Sequence, residues 1–136
     1  MNRENFCETN GEINRENIQK WINALRSGEF QWGRSQLRRG DGYCCLGVAC
    51  EIYRREHPET SWVDDFFDAV GESRETCLPT KVSEWLGVIG PDVTLYLDDG
   101  RRTTATYCND DLKLSFDEIA NAIESTYLRR SDRLSR

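Results

Sequence analysis

Three of the chain's six cysteines fall within seven positions, in the run Asp41-Gly42-Tyr43-Cys44-Cys45-Leu46-Gly47-Val48-Ala49-Cys50. Disulfide, metal site, nucleophile and core are the four roles open to cysteines packed so densely. Adjacent Cys44 and Cys45 are poorly disposed to bridge each other. A zinc site wants paired C-x-x-C spacings or two histidines, whereas the cysteines stand at 7, 44, 45, 50, 77 and 108 and His57 is the only histidine. A cysteine nucleophile needs a base within reach. On one continuous helix His57 would lie about 18 Å beyond Cys45, whereas Cys108 with His57 stays geometrically open. Free cysteine is among the most buried residue types, so the run is expected to be reduced, buried and free of metal. No cofactor is expected.

Periodicity places the run on a helix. Cys45, Val48, Ala49 and Ile52 share one helical face, predicting a helix over residues 44–56 that Pro58 helps to end. Gly47 inside it costs about 1 kcal/mol relative to Ala, which points to close packing there. Ile18, Trp21, Ile22 and Leu25 predict an earlier helix, capped by Asn14 and closed near Gly28. Leu78-Pro79 opens a short helix with Val82, Trp85 and Leu86 inward and Gly87 after it. Val93 to Leu97, the turn Asp98-Asp99-Gly100 and the return from Arg102 to Tyr107 read as a β-hairpin. Ser115-Phe116-Asp117-Glu118 is a capping box, and Phe116, Ile119, Ala120, Ile123 and Tyr127 line the helix behind it. Residues 29–42 read as irregular or extended, and residues 59–77 as a short helix or a peripheral excursion.

A chain of 136 residues suits one core. The expectation is a single α+β domain over residues 14–128, with three to four helices packed on a small antiparallel sheet. A loose lead-in spans 1–13 and a basic frayed tail spans 129–136.

The net charge of −6 is uneven: residues 59–111 carry twelve Asp and Glu against four Lys and Arg. General nucleic-acid binding is therefore disfavoured, and an acidic middle reads as a solvated surface or as one that meets a basic partner. No run of about 18 apolar residues predicts a membrane span, and no apolar stretch follows the charges at the N-terminus. The expected compartment is the cytoplasm.

Trp21…Ala24-Leu25-Arg26-Ser27-Gly28, Tyr43-Cys44-Cys45-Leu46-Gly47-Val48, Leu78-Pro79…Trp85-Leu86-Gly87, Asn109-Asp110 and Ser115-Phe116-Asp117-Glu118-Ile119-Ala120 follow one another in an order that resembles small, mostly uncharacterised proteins of tailed bacteriophages and prophages. The resemblance covers roughly residues 18–125. It implies a virus-encoded accessory protein acting in a bacterial cytoplasm, and it carries no established activity.

Two segments hold polar groups that folding does not explain. Trp32, Arg34, Arg38 and Arg39 combine an aromatic face with guanidinium forks, chemistry suited to phosphate oxygens and a stacked base. Their other reading is a loop whose arginines pair with the acidic middle of the chain. Asn109, Asp110 and Asp111 follow the hairpin, where they either organise an Asx-type turn or reach a ligand. The leading expectation is a non-enzymatic protein that binds a host component through these residues. The alternatives are a sponge for a nucleotide-like signal and a small hydrolase using Asp110 or Asp111.

Overall fold

Asn14 accepts the Asn17 backbone N–H through its side chain and starts helix α1, Arg15–Arg26, as its capping chemistry predicts. The computed structural model describes residues 13–129. The expected lead-in and tail therefore lie outside the described residues but for residues 13 and 129. Ile18, Trp21, Ile22 and Leu25 of α1 are buried, and the helix packs on α2 (Cys45–Glu56) and α5 (Phe116–Ile123). The Trp21 indole N–H donates to the Cys45 carbonyl at 2.9 Å, so the largest core side chain keeps its polar atom satisfied.

Between α1 and α2 the chain forms three two-residue strands, β1 (Gln31–Trp32), β2 (Arg38–Arg39) and β3 (Gly42–Tyr43), with β3 central, parallel to β1 and antiparallel to β2. The expected close packing at Gly47 is against the Leu37 carbonyl. A Cβ at position 47 would lie 1.7 Å from that oxygen, which also accepts the Cys44 N–H at 3.2 Å.

Residues 59–77 form neither a helix nor an excursion. They hold a three-stranded antiparallel sheet of β4 (Ser61–Val63), β5 (Phe66–Asp68) and β6 (Ser73–Arg74). Alternation decides it: Trp62 and Phe67 turn toward the core while Ser61, Val63, Phe66 and Asp68 stay on the other face. Helix α3 (Thr80–Leu86) follows, closed by Gly87 at φ 83°.

Strand β7 (Thr94–Tyr96) pairs with β8 (Arg102–Thr104), but the return is shorter than expected. Thr104 accepts the Tyr107 N–H through its hydroxyl and begins helix α4, Ala105–Asp110. A threonine chosen for strand propensity acts here as a helix cap. Asn109 and Asp110 are consequently helical rather than in a loop. Helix α5 begins at the complete Ser115–Glu118 capping box and runs into a π-helical segment, Glu124–Arg129. The result is an α+β domain with five α-helices among the described residues. Among the described residues no helix is long and apolar enough to cross a membrane.

Candidate functional site

Two groups of residues separated by some 75 positions come together beside the N-terminus of α2. Asn109 is fully buried, and its amide bonds only within the chain. Its Oδ1 accepts the Cys45 N–H at 3.1 Å, and its Nδ2 donates to the Gly33 carbonyl and to Asp110 Oδ1, both at 2.8 Å. Asp110 Oδ1 also accepts the Ser35 N–H at 3.0 Å, which holds Ser35 at φ 77°. Asn109 and Asp110 therefore fasten the Gly33–Ser35 turn onto the core. Asp111 caps the C-terminus of α4, and its side chain is exposed.

That fastening sets the direction of the arginine segment. The register puts Trp32, Tyr43 and Arg38 in one cross-strand row and Gln31, Gly42 and Arg39 in the next, so the two rows face opposite ways. Trp32 is 38% exposed. Arg38 is half-buried, its guanidinium 4.6 Å from the centre of the Trp62 ring and donating to the Asp64 backbone carbonyl at 3.4 Å. Arg34 and Arg39 are exposed. Among the described residues neither makes an ion pair. Of the three arginines only Arg38 meets the acidic middle of the chain, through Trp62 and the Asp64 backbone rather than through an ion pair.

Glu51, which the sequence did not single out, organises the ground beneath this face. Its nearly buried carboxylate accepts from Trp62 Nε1 at 2.9 Å, from Arg54 at 2.8 and 2.7 Å, and from Arg55 at 3.1 Å. Burial works against the charged form, but the hydrogen bonds from Arg54, Trp62 and Arg55 prevail and hold the carboxyl at about 2. Edge-to-face ring contacts run on from Phe30 to Tyr43, Trp62, Phe67, Tyr53 and Trp85. The exposed row thus stands on a rigid aromatic floor. The signal for it was the alternation around Trp62, outweighed in sequence by the acidic residues between.

The cysteines behave as core. Cys44, Cys45, Cys50 and Cys108 are buried free thiols and Cys77 is half-buried. Burial pushes Cys44 up to about 12, against the Gly47 and Leu46 N–H groups that favour its thiolate, and raises Cys45, Cys50 and Cys108 as well. Among the described residues no three His, Cys, Asp or Glu side chains are grouped so as to hold a metal ion. His57 stacks on Tyr53 with ring centres 3.9 Å apart, and its Nδ1 contacts the Tyr53 carbonyl at 2.8 Å.

The family model described as "Domain of unknown function (DUF8296)" matches residues 13–127, and the chain belongs to that family. No curated protein and no solved structure matches it.

Proposed function

We propose that this member of the DUF8296 family acts by binding, as an accessory protein of a bacteriophage that engages and modulates a protein component of its bacterial host. One observation carries the reading: Trp32 stands exposed in the row it shares with Tyr43 and Arg38, on a segment whose Arg34 and Arg39 are exposed and have no ion pair among the described residues of a chain rich in carboxylates. An exposed aromatic on an arginine-rich segment is the composition of an interface anchor. Asn109 and Asp110 support that role indirectly, by holding the Gly33–Ser35 turn on which Arg34 is carried. The same bonds support a positioning role for Asp110 rather than hydrolysis.

Affinity capture from bacterial lysate with the native chain and with Trp32→Ala/Arg34→Ala/Arg39→Ala tests the reading. A host protein retained by the native chain and lost with the variant is the expected result. Equal retention by both removes this face from the function.

A second reading, sequestration of a nucleotide-like ligand in the host cytoplasm, is favoured by Trp32, Tyr43 and Arg38 sharing one row. A base can stack on such a row while the Arg38 guanidinium in the same row meets its phosphate. Native mass spectrometry of protein purified from cells separates the two, because only the sponge carries a bound small molecule.

A further inference from the structure

We infer that the β4–β5 hairpin tip is a second docking surface, which receives a basic segment of a partner protein bearing an apolar side chain. Val63 and Phe66 are directly paired across the strands, and they are 53% and 43% exposed. On the opposite face Trp62 and Phe67 are fastened to the core, so the outward pair stays half in solvent while its backbone is fixed. The tip between them is Asp64-Asp65, with Asp64 held at φ 55°.

Charge identifies the occupant. Neither aspartate side chain makes a hydrogen bond or an ion pair among the described residues. Arg38 reaches the Asp64 backbone carbonyl instead of its carboxylate. Residues 59–77 carry six carboxylates and a single cation, Arg74, which already pairs with Glu72 at 2.9 Å. Nucleic acid and anionic lipid are repelled by such a tip. A lysine- or arginine-rich chain is attracted to it, and Val63 and Phe66 supply the apolar contact that charge alone lacks.

Arg38 borders this surface at Asp64, but Arg34 and Arg39 make no hydrogen bond or ion pair with it among the described residues, so substitutions at 34 and 39 test the two surfaces separately. The test uses the full chain and three synthetic peptides: one alternating lysine with leucine, one glutamate with leucine, and one lysine with serine. Binding is read by calorimetry at low and moderate salt, with melting curves as the folding control. Asp64→Asn/Asp65→Asn removes the charge and keeps a side chain that tolerates the left-handed backbone, while Phe66→Thr keeps strand propensity. The native chain should select the lysine–leucine peptide, and each variant should weaken that binding about tenfold at low salt. Arg34→Ala/Arg39→Ala should leave it intact. Equal affinity for all three peptides, unchanged binding by the aspartate variant, or loss only in the arginine variant would overturn the inference.

Discussion

Asn109 Oδ1 accepts the Cys45 backbone N–H at 3.1 Å across 64 positions of the chain. The same side chain donates to the Gly33 carbonyl, so one amide joins α4, the start of α2 and the arginine segment. Asn109→Ala leaves a buried donor and a buried acceptor without partners, and should cost roughly 2–4 kcal/mol in chemical denaturation. Asn109→Asp should cost more, because it sets a carboxylate oxygen against the Gly33 carbonyl and Asp110.

Gly47→Ala should destabilise the protein although alanine is the better helix former by about 1 kcal/mol. The new Cβ overlaps the Leu37 carbonyl, and α2 and the Leu37 segment must part to admit it. Overpacking of this kind costs roughly 1–3 kcal/mol or more. A rise in the denaturation midpoint would show that the segment yields freely.

Glu51 makes stability depend on acid. Its folded-state carboxyl is held at about 2, below the ordinary value of 4.5, so its contribution is fully present above about 4.5 and is lost as pH falls toward 2. That contribution is on the order of 3 kcal/mol at neutral pH. Stability measured from pH 6 to pH 2 should fall through this window, and Glu51→Gln should flatten that part of the curve while lowering its plateau.

Thiol reagents should distinguish the cysteines by position. Among the cysteines of the described residues, peptide mapping after brief labelling should find half-buried Cys77 modified first. Cys44, Cys45, Cys50 and Cys108 should react only after denaturation, since burial withholds both access and thiolate. Rapid labelling of Cys45 in the native state would contradict its full burial.

At the other end of the fold, Ser115→Ala should cost about 1 kcal/mol through the lost cap. Ile119→Ala, at a fully buried position, should cost roughly 2–5 kcal/mol. The difference between these losses, read from urea midpoints, separates helix initiation from core packing.

Helices α1, α2, α3 and α5 were legible because caps and apolar faces agree along each of them. Asn14 and Ser115 mark beginnings, Gly87 marks an end, and Trp21, Val48 and Ile119 give the inward face. Residues 59–77 misled because six carboxylates mask a two-residue alternation carried by only Trp62 and Phe67. The segment from Thr104 to Asp110 misled because threonine serves strands and helix caps alike, and which one wins depends on what packs beneath. The arginine segment was visible as chemistry. Its attachment to Asn109 and Asp110 was not, because a side-chain bond across some 75 positions leaves no periodic trace.

Helix α1 lies chiefly against α5, and Arg15 donates to the Leu128 carbonyl across 113 positions. On a ribosome, the apolar face bearing Ile18, Trp21 and Ile22 emerges long before the residues that cover it. Closure over so long a loop is entropically slow. The face that α1 turns to α5 is therefore covered only once residues 116–129 have been made, later than its contact with α2.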